Sequence, residues 1–332
     1  MSVKLTSSNA LLQNMKGSVM HSLNSAEARA ALAGVTHIYT DLDGTLLAPG
    51  GRLLTNHLGK PSTKLAEALV LLKHADIEVI IVTGRDVASS TEIMRLTNLN
   101  QFIAEMGCIV QTGYGASAQK SYRLGQWETK ADFQNAQRGK GLTPYEMIVQ
   151  SGILDVLLRR FEGKLEMHCL PGSSREVTCL MRGNIDSGPQ GEADSLLAQL
   201  DLPLQLMDNG VIRPNNHTLV NVDEVHVYHL MPRGTGKDQA VAADIAAKGL
   251  APRQTLAIGD AIGDIAMGTA TGSFVLVNNL SEGNLQDYAT GVLPNPEASF
   301  ATSLPNASGW TEFAHALLAS IDRKTFNSEV VQ

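Results

Sequence analysis

The stretch Thr40-Asp41-Leu42-Asp43-Gly44-Thr45-Leu46 comes directly after Val35–Tyr39, a run that predicts a buried β-strand. Side chains alternate along a strand, so Asp41 and Asp43 are expected to point the same way and to form one acidic site. In an open parallel sheet, ligands bind at the carboxyl ends of the strands. Two carboxylates held together there repel each other unless a cation, a proton or a phosphoryl transfer involves them. The stretch therefore predicts a functional site.

Two other interpretations of the acidic stretch remain open. An Asp-x-Asp-Gly string also begins calcium loops, but such a loop needs a further oxygen ligand before its glycine and a Glu after it. Here Gly44 comes too early, and Leu46 and Leu47 follow. Alternatively, Asp43 could simply cap a turn, which is the usual role of an isolated Asp.

Composition narrows the class of protein. The 332 residues are 43% hydrophobic and 18% charged, which is typical of a soluble globular protein of about two domains. A net charge of -7 with scattered Lys and Arg argues against nucleic acid as a partner, because phosphate backbones need clustered basic residues. No apolar run reaches the roughly 18 residues of a membrane span, so no membrane association is expected.

The cysteines favour a reducing compartment. Cys108, Cys169 and Cys179 are an odd number without CxxC spacing, which indicates neither a disulfide framework nor a zinc site. All of them fall in apolar runs typical of core residues. A cytoplasmic location is therefore expected.

Residues 1–34 are predicted to be an N-terminal extension. The first 26 residues contain Lys4 and Lys16 but no acidic residue, a weak likeness to an organelle transit peptide. They lack Arg and a cleavage-like region, so a frayed or helical extension is the preferred interpretation. Ala26–Ala33 is predicted to be a short helix before the first strand.

Strands and helices alternate after the first strand. The apolar spacing and run lengths predict these elements: helix Ser62–His74, strand Ile77–Val82, a helix from about Val87 to Leu96, and strands Phe102–Glu105 and Cys108–Gln111. This βαβαβ order predicts an open parallel sheet.

The alternation stops near Gly113. A polar excursion over 113–143 is followed by a predicted helix over Pro144–Phe161. Further strands include Thr218–Val222 and Val225–Leu230, and Asn209-Gly210 is expected to form a hairpin turn. The order α-β-β occurs twice, which predicts a small α+β domain with an antiparallel sheet over residues 113–231.

The α/β alternation then resumes with a predicted helix over Lys237–Lys248, and a short strand is expected near Val292. Residues 35–112 and 232–332 are therefore predicted to form one discontinuous core domain. The expected fold class is α/β, a doubly wound, Rossmann-like parallel sheet with an inserted α+β cap.

Three later stretches are expected to gather beside Asp41. The first is Thr83-Gly84, which puts a hydroxyl and a flexible backbone amide at a strand end facing a helix start. Such a place is a ready anion site, although a plain helix cap is the simpler interpretation of this pair alone.

The second stretch is Gly234-Thr235-Gly236-Lys237. It is similar to a Walker loop, but Met231 stands where that loop needs a glycine, and Asp238 replaces the magnesium-binding Ser or Thr, so a nucleotide P-loop is rejected. A cation at a helix N-terminus is unfavourable by about 0.3–1 kcal/mol, which predicts an anionic partner for Lys237.

The third stretch is Gly259-Asp260-Ala261-Ile262-Gly263-Asp264, which adds two carboxylates just beyond a strand. Asp264 could cap the following turn, whereas Asp260 after a glycine at a strand end has no such simple role. A cleft with four carboxylates and one lysine needs a divalent cation, and the lysine and helix amides need an anion. Mg²⁺ together with a phosphoryl group satisfies both.

The chain resembles the haloacid dehalogenase-like hydrolase superfamily in four motifs, which occur in the same order and on the same elements: Asp41-Leu42-Asp43-Gly44-Thr45, Val82-Thr83-Gly84-Arg85, Gly236-Lys237, and Gly259-Asp260 with Asp264. The insert between the second and third motifs resembles the large α+β cap of the Cof-like phosphatases, which include enzymes acting on sucrose phosphate and mannosyl-phosphoglycerate. The resemblance covers about residues 35–285.

That resemblance implies a role for each motif residue. Asp41 would attack phosphorus as the nucleophile, and Asp43 would protonate the leaving oxygen and then activate water. Thr83, the amide of Gly84 and Lys237 would bind the phosphoryl oxygens. Mg²⁺ would be held by the Asp41 carboxylate, the Asp43 backbone carbonyl, Asp260 and Asp264.

The implied function is a phosphatase acting on a small phosphorylated metabolite such as a sugar phosphate or a related compound. Relatives that cleave carbon–halogen or carbon–phosphorus bonds lack an acid at the position of Asp43. A phosphomutase or phosphotransferase of the phosphomannomutase type, and a catalytically silent ligand-binding protein, remain as alternatives.

The chain differs at two places from the proteins that it resembles. Gly263 stands where they usually carry Asn, and Glu105-Met106-Gly107 stands where they often show Asn-Gly. In the predicted cap, some basic side chains could read a second anionic or sugar group, although the usual exposure of such residues favours an ordinary surface role. They are Arg175, Arg182, Arg213 and His168.

Overall fold

The computed structural model describes residues 20–131, 133–134, 141–169, 174–199, 203–214, 216–279 and 295–321. The chain divides into two compact units. The first consists of residues up to Thr83, Ile93–Phe102 and the chain from Lys237 onwards. The second consists of Gly84–Glu92 and Ile103–Gly236.

The strands in chain order are β1 His21–Ser22, β2 His37–Thr40, β3 Glu78–Val82, β4 Gln101–Ala104, β5 Ile109–Thr112, β6 Gln119–Tyr122, β7 Leu165–Met167, β8 Cys179–Gly183, β9 Leu204–Ile212, β10 Val225–Pro232, β11 Thr255–Gly259, β12 Ser273–Leu276 and β13 Ser299–Ala301. The α-helices are α1 Ala26–Leu32, α2 Lys64–His74, α3 Val87–Leu96, α4 Pro144–Gln150, α5 Ile153–Arg160, α6 Glu192–Leu197, α7 Lys237–Lys248, α8 Ile262–Met267 and α9 Asn306–Ser320.

The first unit is built on a parallel sheet with the strand order β1-β13-β12-β11-β2-β3-β4. Along the sheet, from β1 through β13, β12, β11 and β2 to β3, each strand runs parallel to the next. The central strands are apolar on both faces, and Ile38, Ile80 and Ile258 are fully buried. Such runs are expected where helices cover both sides of a parallel sheet.

Contacts of two neighbouring residues show that helices lie on opposite faces. Tyr39 donates its hydroxyl hydrogen to Asp244 of α7, and Thr40 accepts a hydrogen bond from the indole of Trp310 in α9. Because adjacent side chains on a strand point to opposite faces, α7 and α9 cover opposite sides of the sheet. The predicted doubly wound, Rossmann-like fold is confirmed.

The second unit contains a four-stranded antiparallel sheet with the order β7-β8-β10-β9, and it also contains strands β5 and β6, which pair antiparallel with each other. Helix α4 begins with a capping box, in which Thr143 and Glu146 bind each other's backbone amides. Such a box satisfies amides that have no partner within the helix. This mixture of helices and antiparallel strands confirms the predicted α+β class of the insert.

Some element predictions were wrong. The helix predicted over Pro144–Phe161 is two helices, because Gly152 adopts a left-handed φ of 75° between them. Asn209-Gly210 does not form a hairpin turn but lies inside β9, whose pairing with β10 shifts register nearby. Such an irregularity accommodates the positive φ of Gly210 within a strand.

Two further predictions in the insert also need correction. Thr218–Val222 is not a strand: the backbone amide and hydroxyl of Thr218 bind the side-chain carboxylate of Glu166 instead of the backbone of a strand. The polar excursion over 113–143 contains strand β6, which pairs with β5. The strand expected near Val292 and most of the N-terminal stretch fall outside the described residues.

Among the described residues, no helix has the length and apolar character needed to cross a membrane.

Candidate active site

The predicted acidic residues follow two neighbouring strands. Asp41 comes directly after β2, and Asp260 comes directly after β11. These strands pair in parallel with Ile258 opposite Thr40, and the amide of Asp41 donates to the carbonyl of Ile258 over 2.9 Å. The register therefore brings both carboxylates to the carboxyl edge of the sheet, where ligands bind in open α/β folds.

Lys237, the first residue of α7, is buried among these acids. Its Nζ donates to Asp41 Oδ1 over 2.6 Å and to Asp264 Oδ1 over 2.7 Å. The lysine is 5% exposed and Asp264 is 1% exposed. A cation at the N-terminus of a helix is thus held by two anions, as the unfavourable helix dipole predicts.

Asp260 is held at both carboxylate oxygens. Oδ1 accepts from the hydroxyl of Thr45 and Oδ2 from Nδ2 of Asn279, both over 2.8 Å. Asn279 also donates to the carbonyl of Gly44 over 2.6 Å. A Cβ at Gly44 would lie 2.5 Å from Asp260, and the φ of Gly44 is +87°, so only glycine fits this turn.

Asp264 is fixed by the turn that begins α8. Its Oδ2 accepts from the backbone amides of Asp260 and Ala261, at 3.2 and 3.1 Å. A Cβ at Gly259 would lie 2.1 Å from Asp264 Cβ, which explains why a glycine ends β11. The Asp264 side chain is therefore packed against the strand end and aimed at Lys237.

The site carries more negative than positive charge. Within the described part of the chain, one oxygen from each of Asp41, Asp260 and Asp264 lies within 4.8 Å of the other two. Burial and then the Asp264 carboxylate raise the pKa of Asp41 well above its usual value. The same two causes raise the pKa of Asp260 to about 6.

Lys237 only partly offsets this repulsion. Burial alone would lower its pKa, but Asp264 and Asp41 outweigh burial and raise the pKa above its ordinary value. The lysine therefore stays charged at neutral pH. One ammonium facing three carboxylates leaves a net charge of about -2 when all are ionised.

The donor set fits Mg²⁺. Carboxylate oxygens are the ligands that this hard cation prefers, and they converge on one point here. The raised pKa of Asp41 and of Asp260 shows that their ionised forms lack compensating positive charge. A divalent cation would supply it.

The remaining predicted residues, Asp43, Thr83 and Gly84, follow the ends of β2 and β3 along the chain. Asp43, two residues after Asp41, is exposed, and it is not one of the three clustered carboxylates of the described chain. Thr83 directly follows β3, the parallel neighbour of β2, and is 2% exposed. Gly84 follows it as the first residue of the second unit.

Several residues that orient the acids were not predicted from the sequence. Thr45 and Asn279 bind Asp260. Thr45 lies in the stretch Thr40–Leu46, but its residue type alone did not predict this contact. The indole of Trp310 donates to the hydroxyl of Thr40, which donates to the carbonyl of Asp41 over 2.7 Å. Asn279 and Trp310 are far from Asp41 in sequence, so only folding reveals their roles.

The departure at Gly263 leaves space. Among the described residues, no heavy atom lies within 4 Å of where its Cβ would be. The missing Asn side chain is therefore not replaced by another group of the described chain.

Two sequence comparisons show which known proteins the chain is similar to. Residues 38–122 match a family described as haloacid dehalogenase-like hydrolase. Phosphoglycolate phosphatase from Methanoculleus marisnigri is 23% identical over 244 residues, which cover 73% of this chain and 83% of that protein.

Solved structures share the fold. Sucrose-phosphatase from Synechocystis superposes with a TM-score of 0.54 at 17% identity, covering 85% of this chain and 98% of that chain. Protein 0175 of Thermoplasma acidophilum gives a TM-score of 0.51 at 15% identity, covering 86% and 99%. The match over residues 38–122 and the shared fold support the resemblance to haloacid dehalogenase-like hydrolases that the four motifs predict.

Proposed function

We propose that this protein is a Mg²⁺-dependent phosphatase that hydrolyses the phosphate monoester of a small metabolite, a sugar phosphate or a related compound. The observation that carries the proposal is the buried Asp41 carboxylate, held 2.6 Å from Lys237 beside Asp260 and Asp264. A carboxylate attacks a phosphate dianion poorly until positive charge screens their repulsion.

In the first proposed step, an oxygen of Asp41 attacks phosphorus. The bond from phosphorus to the ester oxygen breaks as an aspartyl-phosphate forms, and Asp43 gives a proton to the departing oxygen. The exposure of Asp43 suits this role because it must reach a group that leaves with the product.

In the second proposed step, water attacks the phosphorus of the aspartyl-phosphate. Asp43, now ionised, takes a proton from that water, and the bond from phosphorus to Asp41 breaks to release inorganic phosphate. Lys237 holds the Asp41 carboxylate in place through both steps, while Thr83 and the amide of Gly84 bind phosphoryl oxygens. Asp41, the Asp43 carbonyl, Asp260 and Asp264 would hold Mg²⁺, which supplies positive charge opposite the phosphoryl oxygens.

The substrate class rests on the chemistry and on the relatives. A phosphoglycolate phosphatase and a sucrose-phosphatase are among the similar proteins, and both names denote small phosphorylated metabolites. Residues 113–231 are proposed to be the inserted cap that selects the substrate, with 35–112 and 232–332 as the catalytic core and 1–34 as an extension. A cytoplasmic location is also proposed, since the three cysteines are free thiols.

The test is phosphate release from a panel of sugar phosphates, phosphoglycolate, phosphoglycerate conjugates and nucleotides, with Mg²⁺ or with EDTA. Wild type and Asp41→Asn are compared, and ³¹P NMR follows isomer formation in parallel. Turnover of a few sugar phosphates only with Mg²⁺, absent in a folded Asp41→Asn variant, supports the proposal. Isomer formation without phosphate release would instead identify a mutase, and turnover in EDTA would contradict Mg²⁺ dependence.

A further inference from the structure

The segment Glu105-Met106-Gly107 at the end of β4 has an unusual backbone. Glu105 and Met106 adopt positive φ angles of 49° and 61°. Residues with a side chain occupy this left-handed region at a cost of about 1 kcal/mol or more each. Two such residues in succession persist only where their surroundings hold them, so the contacts of Glu105 are informative.

The Glu105 carboxylate is completely buried and is saturated with hydrogen bonds. Oε1 accepts from the amide of Glu176 over 2.8 Å, and Oε2 accepts from the amides of Val177 and Thr178 over 3.1 and 2.7 Å. The hydroxyl of Thr178 donates to Oε2 as well, over 3.1 Å. One carboxylate thus fixes three successive peptide groups before β8, which compensates for its burial.

Arg175, next to this anchored segment, is buried rather than on the surface as its residue type predicts. It is 8% exposed, and its Nε donates to the carbonyl and hydroxyl of Thr178 over 3.1 and 2.9 Å. Its Nη2 donates to the carbonyl of Gly84 over 2.6 Å. Glu105 lies 3.8 Å from Nε, so the guanidinium is balanced by a buried carboxylate.

A second contact holds the same backbone. The hydroxyl of Ser174, beside Arg175, donates to the carboxylate of Asp86, which caps the amide of Ser89 at the start of α3. Residues 84–86 are therefore attached to the 174–178 segment at two points. The free side of Gly84 is also closed, because a Cβ there would lie 3.0 Å from Nδ2 of Asn209 and 3.1 Å from Nε2 of His229.

We propose that Arg175 and Glu105 are positioning residues for Gly84, and that they fix the backbone whose amide binds a phosphoryl oxygen. The inference rests on the proposed function and deepens it. A backbone donor that stabilises a transition state must be held within a few tenths of an ångström, because a misplacement of about 1 Å can cost about 100-fold in rate. Glu105 holds the 174–178 segment in place, and Arg175 connects that segment to Gly84. This would explain why Glu105-Met106-Gly107 stands where related proteins often show Asn-Gly.

The test compares Arg175→Met and Arg175→Lys with Arg182→Met. Arg182 is a suitable control because it is also a paired arginine of the second unit. Its Nε lies 2.6 Å from Glu166 Oε1 and its Nη2 donates to the carbonyl of Asn216 over 2.9 Å, so its guanidinium serves the fold rather than a ligand. Phosphate release, inhibition by orthovanadate in the presence of Mg²⁺, and Mg²⁺ affinity without vanadate are measured. Thermal unfolding and near-ultraviolet circular dichroism verify folding.

We expect Arg175→Met to lower kcat/KM and weaken vanadate inhibition by about 10- to 100-fold, while Mg²⁺ affinity changes little. Arg175→Lys should fall between wild type and Arg175→Met, since it keeps the charge but not the planar donor. Low concentrations of guanidinium should partly restore activity to Arg175→Ala and not stimulate wild type. Glu105→Gln should reproduce the kinetic loss more weakly, because one amide-accepting oxygen remains.

Each contrary result has a distinct meaning. If the Arg175 variants are folded and match Arg182→Met in both kcat/KM and vanadate inhibition, the positioning role is wrong while the phosphatase remains. If Mg²⁺ affinity and vanadate inhibition fall together with the unfolding temperature, Arg175 is only structural, and the inference again fails. If wild type neither releases phosphate nor binds vanadate, the proposed function itself fails, and this inference falls with it.

Discussion

Helix α7 carries a cluster of acid and lysine at each end, and the two clusters differ in how fully the charge of their acids is compensated. At its start, Lys237 faces Asp41 and Asp264, and Asp260 lies within the same group. Near its end, Asp244 accepts from Tyr39 over 2.8 Å, from Gln101 over 2.7 Å and from Lys248 over 3.0 Å.

The two ends differ in whether the charge of the acid is compensated by its neighbours. Asp244 is buried, but neutral hydroxyl and amide donors bind both of its oxygens, and Lys248 also binds Gln101. Asp41 has two acidic neighbours, Asp264 and Asp260. Its burial and the charge of Asp264 raise the pKa of Asp41. Identical residue types therefore stabilise the fold at one end of α7 and maintain a charge imbalance at the other, which is the mark of a binding or catalytic site.

The largest expected effect comes from comparing one substitution at each end of α7, Asp41→Asn and Asp244→Asn. Asp41→Asn should lower phosphate release by at least about 1,000-fold, because it removes the proposed nucleophile. The same change should raise the unfolding temperature of the metal-free protein at pH 7.5, because an ionised Asp41 is unfavourable in the fold. Activity assays and calorimetry in EDTA measure both. If Asp41→Asn instead lowered the unfolding temperature as much as Asp244→Asn does, the acids at the two ends of α7 would not differ in charge compensation.

The second effect concerns the exposed acid. Asp43→Asn should slow turnover of an alkyl phosphate by about 100- to 10,000-fold, the usual range for general acid–base catalysis. With p-nitrophenyl phosphate, whose leaving group needs no proton, a stoichiometric burst of p-nitrophenol should precede slow phosphate release. Stopped-flow absorbance measures the burst. Equal slowing of both substrates with no burst would show that Asp43 does not act as proton donor.

A third effect is the pH dependence of stability. The folded-state pKa of Asp260, about 6, lies above its unfolded value, so its contribution to stability is fully present below about pH 4 and is lost as pH rises through 6. Asp41 shifts in the same direction. Mg²⁺ should therefore raise the unfolding temperature more at pH 8 than at pH 5, since it binds the ionised forms. Thermal unfolding with Mg²⁺ or EDTA at both pH values is the measurement. A stabilisation that is independent of pH would place Mg²⁺ elsewhere.

The smallest effect on activity is expected at the far end of α7. Asp244→Asn should lower the free energy of unfolding by about 1–3 kcal/mol, because an amide nitrogen would face one of the donors. Phosphate release should stay within about twofold, since distant sites act independently. Tyr39→Phe is the matched milder change, with a loss of about 1 kcal/mol. Chemical denaturation and initial rates test this, and a large loss of activity without loss of stability would contradict a purely structural Asp244.

Much of the fold was readable from local patterns. Helices α3 and α7 begin and end at the predicted residues, β3 lies within one residue of its predicted ends and β2 within two, because apolar periodicity reports burial directly. The insert was harder. Its helix over Pro144–Phe161 breaks where Gly152 takes a left-handed φ. Thr218 binds the Glu166 side chain instead of a strand backbone, a tertiary contact that overrides local preference.

The sequence by itself determined which residues are the candidates for the chemistry. Asp41, Asp43, Lys237, Asp260 and Asp264 stand out because each lies at a strand end or a helix start, where charge needs a partner. Only the tertiary structure decided what holds them: Asn279 and Thr45 bind Asp260, and Trp310 acts through Thr40 on the backbone of Asp41. It also placed Arg175 in the interior beside Gly84. The physical reason is that a charged residue at an element end is visible locally, whereas its hydrogen-bond partners come from distant parts of the chain.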